Sequence, residues 1–150
     1  MKVGTALAAA VALLGLPAGA LAAPDGAALF VQNCAMCHQA DASGVAGLAP
    51  PLKGEHWAKL GTDRSYIPTV VLNGLFGPIK LGSGDTFAGN MPSFAQTLDD
   101  ATIAAIASHV SKIVGGDDGG AYSADDIKAV RQLPGSPTQS RQKRSRLVGS

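Results

Sequence analysis

Cys34, Cys37 and His38 put two thiols and an imidazole within five consecutive positions, in the stretch "NCAMCHQA". The 150-residue chain has no other cysteine. Groups at this spacing can close a disulfide, cycle as a dithiol pair, bind a metal ion or anchor something covalently. A thioredoxin-like dithiol opens a helix after a strand, whereas the residues before Cys34, "DGAALFVQN", read as helix. A structural zinc site takes four ligands. Only His56 and His109 are left to add a nitrogen, and neither has a partner at finger-like spacing.

Covalent haem attachment meets none of these objections. In C-x-x-C-H the two thiols become thioethers to the haem vinyl groups, and the adjacent histidine binds the iron from one face. One helical turn separates the thiols, so the macrocycle is fixed against that turn while the next side chain reaches the metal. The composition agrees with a core that needs a non-protein filler, since four Phe, two Tyr and one Trp are few aromatics for this length.

The elements that must position these groups are short helices joined by long loops. Asp25 can cap a first helix, with Gly26, Leu29 and Phe30 toward a partner helix. "DASGVAGLAPPLKG" has neither period and reads as a long loop, His56 being placed as a loop residue just beyond it. "TDRSYIPTVVLNG" is predicted helical up to a Gly74 cap, with Pro68 either in the first turn or at a kink. In "LFGPIKLGSGDTFAGNMPSF" a short hairpin is expected from 79–81 to 86–88 around Gly-Ser-Gly-Asp. Ile103, Ile106, Val110 and Ile113 recur at helical steps behind an Asp99 cap, and Gly115–Gly116 end that helix. "SADDIKAVRQL" is a last helix, with Ser123 and Asp126 as its N-terminal pair and Pro134 as its stop.

The ends differ from the middle. Lys2, an apolar run from Val3 to Leu16 and an A-x-A site at Ala20–Ala22 form a secretory leader over 1–22. That predicts an exported, periplasmic protein with no transmembrane segment in its mature part. Residues 24–133 hold seven Lys/Arg and all eleven Asp/Glu, a formal −4, while the tail 134–150 holds four cations and no acid. The acidic middle argues against nucleic acid as partner. The tail is polar and Pro/Ser-containing and is expected to be a disordered, solvated segment, with contact to an acidic partner or a lipid surface as the alternative.

From Pro24 to about Leu133 the chain resembles the class I c-type cytochromes of the small monohaem periplasmic kind. "DGAALFVQNCAMCHQADASGVAGLAPPLKG", "VVLNGLFGPI", "NMPSF" and "LDDATIAAIASHV" match that family's first helix, haem motif, methionine loop and last helix in the family's order. "SADDIKAVR" resembles an extra helix of members that take electrons from dehydrogenases. The resemblance implies an all-α cytochrome c fold over 23–133 around one covalent haem c. It implies iron ligation by His38 and Met91, with Pro50 accepting a hydrogen bond from His38. Met91 also suits the role as a soft thioether in an irregular loop, with His56 its main competitor. Met36, inside the attachment motif, is badly placed for the far face, and His109 reads as a packing residue. Trp57 and Tyr66 carry polar tips that suit haem propionates and suit core packing equally. The implied function is single-electron transfer from a dehydrogenase to an oxidase or another cytochrome, by a monomer or a dehydrogenase subunit, and not an enzyme. A haem-based ligand binder or peroxidase-like enzyme with a labile sixth ligand is the alternative.

Overall fold

The computed structural model describes residues 24–115 and 120–149; the leader read over 1–22 and Gly116 lie outside them. Helix α1 (Gly26–Asn33) starts where the Asp25 carboxylate accepts from the N–H groups of Ala27 and Ala28. It breaks at Cys34 and continues as α2 (Ala35–His38). After the loop come α3 (His56–Leu60) and α4 (Tyr66–Asn73), then four two-residue strands, β1 (Leu75–Phe76), β2 (Ile79–Lys80), β3 (Thr86–Phe87) and β4 (Asn90–Met91). Helices α5 (Asp100–Ile113), α6 (Ala124–Arg131) and α7 (Pro137–Val148) complete the order. The architecture is mostly helical, as expected for a cytochrome c fold, and β2–β3 form the expected hairpin, Ile79 opposite Phe87.

The core follows from the apolar faces. Ile103, Ile106 and Val110 of α5 are buried together with Phe30, Leu60, Leu72 and Ile127. Helix α1 crosses α5 at Gly26, where a Cβ would stand 2.2 Å from the Ala105 carbonyl oxygen and 3.2 Å from His109 Cβ. Only a residue without a side chain lets the two backbones come this close. One turn further on, the Phe30 ring meets His109 at 5.4 Å between centroids, so His109 packs as read from the sequence.

Pro68 is the third residue of α4, in the first turn, where N–H groups have no intrahelical acceptor and a proline forfeits nothing. Ser123 and Asp126 form a reciprocal capping box on α6. Arg131, at the end of α6, pairs with Asp100 at 2.7 Å and donates to the carbonyls of Ala95 and Leu98. It thereby clamps the segment between the strands and α5.

Two expectations fail. His56 is not a loop residue but opens α3, an element too short to show a period. The tail is not disordered: Ser136 caps α7, Pro137 fills its first turn, and Gly149 ends it in the left-handed region. Its apolar residues are confined to Leu147 and Val148 at the end, which pack against the core, while Ser140 and Arg144 are buried upstream of them. Lys143 holds Asp63 at 2.8 Å and the Ser65 hydroxyl at 2.6 Å. These tertiary contacts, not composition, order the helix. With Lys143 and Arg144 engaged inward, the tail is not a free polybasic segment.

The α1–α5 crossing is testable. Gly26→Ala should cost about 1–3 kcal/mol through overpacking, despite alanine's better helix propensity. Gly82→Ala, with nothing within 4 Å of the new methyl, should stay within about 0.5 kcal/mol. Denaturant unfolding of both variants checks the contrast.

Candidate functional site

The break between α1 and α2 sets the geometry of the cysteine–histidine stretch. The N–H groups of Cys37 and His38 both bond the Cys34 carbonyl, at 3.2 and 3.0 Å, so the three residues share one tight turn. Gln39, at φ 62°, ends that turn, and the Gly44 N–H returns to the His38 carbonyl at 2.9 Å. Gly44 itself, at φ 73°, would drive a Cβ to 2.4 Å from the Ala49 carbonyl oxygen. The loop therefore folds back on α2, with Ala42 buried and Val45 bridged to Ala49.

This fold-back places the Pro50 carbonyl 3.1 Å from His38 Nδ1. A carbonyl only accepts, so Nδ1 carries the proton and Nε2 keeps a bare lone pair. Burial holds the His38 pKa below the usual imidazole value, with the Pro50 bond working against it. The neutral ring is the form that binds metal. No disulfide joins Cys34 to Cys37. Burial first, and the Cys37 thiol second, push Cys34 up to about 11. A redox-active dithiol needs the opposite, a depressed thiol, so the structure weakens that chemistry independently of the missing strand.

The other wall is built from a strand pair that the sequence did not reveal. Leu75 lies opposite Met91 and Phe76 opposite Asn90 across β1–β4. Gly74, at φ 71°, turns the chain out of α4, where a Cβ would stand 2.5 Å from the Met91 carbonyl oxygen. The Phe94 N–H bonds the Val71 carbonyl at 3.0 Å, and the Ser93 hydroxyl donates to Leu72. Met91 is thus fixed against the end of α4, partly buried against the core.

Between these walls is one cavity, and all seven residues singled out in the sequence line it: Cys34, Cys37, His38, Pro50, Trp57, Tyr66 and Met91. His56 lines it too, whereas His109 does not. Met36 also reaches it, at the mouth, with 87 % of its surface exposed. The Trp57 indole N–H donates to the Pro51 carbonyl at 3.4 Å, and its ring meets Tyr66 edge-on at 5.9 Å. Burial pushes the Tyr66 hydroxyl up, while the Arg144 guanidinium beside it acts in the opposite direction.

Arg144 is the lining residue that sequence reasoning missed. The available signal was the Ser136–Pro137 helix start followed by Ser140 and Arg144, four apart on one face.

The cavity holds about 1210 Å³ of empty space including its open mouth, and its walls are overwhelmingly apolar. Apolar walls of this kind suit an organic ligand and not a bare ion. No cluster of three or more His, Cys, Asp or Glu able to hold a metal ion occurs among the described residues. A large apolar slot with two thiols, a neutral imidazole and a thioether fits haem and does not fit zinc.

The comparisons point the same way. The family described as cytochrome C oxidase, cbb3-type, subunit III matches residues 21–110. A cytochrome c-552 of Thermus thermophilus is 38% identical over 138 residues, covering 85% of this chain and 88% of that protein. The cytochrome c subunit of a quinone alcohol dehydrogenase from Gluconobacter oxydans is 31% identical, over 71% of this chain but only 22% of the subunit. The cbb3-type oxidase subunit CcoP of an Azospirillum species is 37% identical, over 61% of this chain and 28% of that protein. With the sequence motif, the helical fold and the apolar slot in agreement, the chain belongs to the class I c-type cytochromes, carriers of covalently bound haem c that transfer electrons and are not themselves enzymes.

Proposed function

We propose that Cys34 and Cys37 are the thioether anchors, that His38 Nε2 and Met91 Sδ are the axial ligands, and that the protein is a periplasmic single-electron shuttle. The observation that carries the ligand assignment is the His38–Pro50 hydrogen bond at 3.1 Å. It fixes the tautomer, raises the basicity of the free nitrogen and aims that nitrogen into the cavity that Met91 also lines. Haem supplies a one-electron iron(III)/iron(II) couple when bound, and methionine ligation raises its potential relative to two histidines. The chain's own part is to keep the couple dry and rigid. Apolar walls exclude water, and the Arg131 clamp and the β1–β4 pair hold the methionine segment still.

With both axial positions supplied by protein, the reading is a carrier and not an oxygen- or peroxide-handling enzyme. Met36 and Leu48 stand exposed at the cavity mouth, 87 % and 50 % accessible, as an apolar edge suited to a brief encounter. Names of the relatives support a dehydrogenase as donor and an oxidase or second cytochrome as acceptor. Similarity to cytochrome c-552 runs over most of both chains and supports a small shuttle over a fixed dehydrogenase subunit. The leader pattern supports the periplasm as its place of work. No described helix is long and apolar enough to cross a membrane.

Two variants test the ligand set. Met91→Ala should keep covalent haem, lose the near-infrared methionine–iron band, lower the reduction potential and let the reduced protein bind carbon monoxide. An unchanged spectrum would transfer the sixth position to His56. Cys37→Ala should remove one thioether and cut the yield of mature protein, read as pyridine-haemochrome spectrum and denaturing mass. Wild-type amounts of doubly attached haem would refute the anchor assignment.

A further inference from the structure

Arg144 lies on α7 with 4% of its surface exposed, and it lines the cavity. A guanidinium does not lose its proton in a protein. Burying that charge without an anion carries a large desolvation cost. Yet no carboxylate among the described residues pairs with Arg144, the only ion pairs there being Arg64–Asp126, Arg131–Asp100 and Lys143–Asp63. Its ionisable neighbours in the cavity are the Tyr66 hydroxyl and the His56 imidazole, neither of them an anion. Three rings of the lining pack in series here, His56 against Trp57 at 5.7 Å and Trp57 against Tyr66 at 5.9 Å between centroids. The guanidinium thus has a hydrogen-bonding neighbour in the Tyr66 hydroxyl but no carboxylate partner among the described residues.

We infer that Arg144 is the counter-charge of a haem propionate, and that α7 is therefore a wall of the cofactor site and not an appendage. The inference rests on the haem reading above, since haem is the apolar occupant that brings carboxylates at one edge. An arginine fork matches a carboxylate with two parallel hydrogen bonds, which a lysine cannot reproduce. The Tyr66 hydroxyl and the Trp57–Pro51 hydrogen bond set the fork's surroundings, so Arg144 acts as a positioning and charge-balancing residue.

Helix α7 has anchors of its own. Lys143 pairs with Asp63, Lys59 donates to the Val148 carbonyl at 3.4 Å, and the Arg141 side chain lies across Gly77. Loss of the Arg144 charge therefore leaves the helix attached. A positive charge paired with a propionate favours the reduced iron, because the reduced haem carries one positive charge fewer.

The test uses the haem-loaded full chain and its Arg144→Gln and Arg144→Lys variants. Denaturing mass is measured first, then the midpoint potential, then the redox-difference infrared spectrum with carbon-13 in the propionate carboxyls. Arg144→Gln should keep covalent haem and the methionine–iron band, lower the potential and shift the labelled carboxylate band. Arg144→Lys should restore most of the potential, since it restores charge, while the carboxylate band stays shifted because the fork is gone. A haem-loaded Arg144→Gln protein with wild-type potential and band position overturns the inference. If Arg144→Gln fails to load haem, Arg144→Lys decides, and an unshifted carboxylate band there overturns it. A wild-type protein without haem mass would instead remove the haem reading beneath it.

Discussion

An apolar slot lies among the helices of this fold, and its walls are the same side chains that build the core. Helices α1, α4 and α5 contribute Phe30, Ile67, Val71, Ile106 and Val110 to its walls as well as to the buried core. A flat apolar group seated there adds dispersion contacts along every wall. Tied at one end by the proposed thioethers to Cys34 and Cys37, such a group extends a core that the helices already share. The thioether anchors matter because they supply that filler permanently, as part of the chain.

Filling the slot is also what makes a redox couple usable. The His38 ring is oriented from behind by the Pro50 carbonyl, in a loop whose fold-back depends on Gln39 and Gly44 taking positive φ. Met91 is presented from the opposite side by a two-residue strand whose partner emerges from α4 through Gly74. Each proposed ligand sits on backbone held by hydrogen bonds to a helix end. Little in the site can move when an electron arrives, and rigidity of this sort keeps the reorganisation cost of transfer low.

The parts of this arrangement with a local signature were legible in the sequence. Asp25, Asp99 and Ser123 cap helices, Gly74 ends one, Ile103–Val110 form a face, and Cys34, Cys37 and His38 form a motif within one turn. The β1–β4 pair was not legible, because two-residue strands separated by a hairpin carry no alternation to detect. Helix α3 is shorter than the period that would identify it. The tail failed for a different reason. Its inward face holds Ser140 and Arg144 with apolar Leu147 and Val148 only at the end, and tertiary contacts order it, so composition alone read it as disorder. Met91 was nameable only through resemblance and the softness of its sulfur. The strand that fixes it is a product of the fold.

The central claim is that one covalent haem is held between His38 and Met91. Its most direct test is the absorption spectrum of the purified wild-type protein in both oxidation states, taken with a denaturing mass. The account predicts a mass increased by one haem, sharp low-spin bands on reduction and a near-infrared methionine–iron charge-transfer band in the oxidised protein at neutral pH. A bare polypeptide mass would contradict it. So would an oxidised spectrum without that band together with ready carbon monoxide binding by the reduced protein.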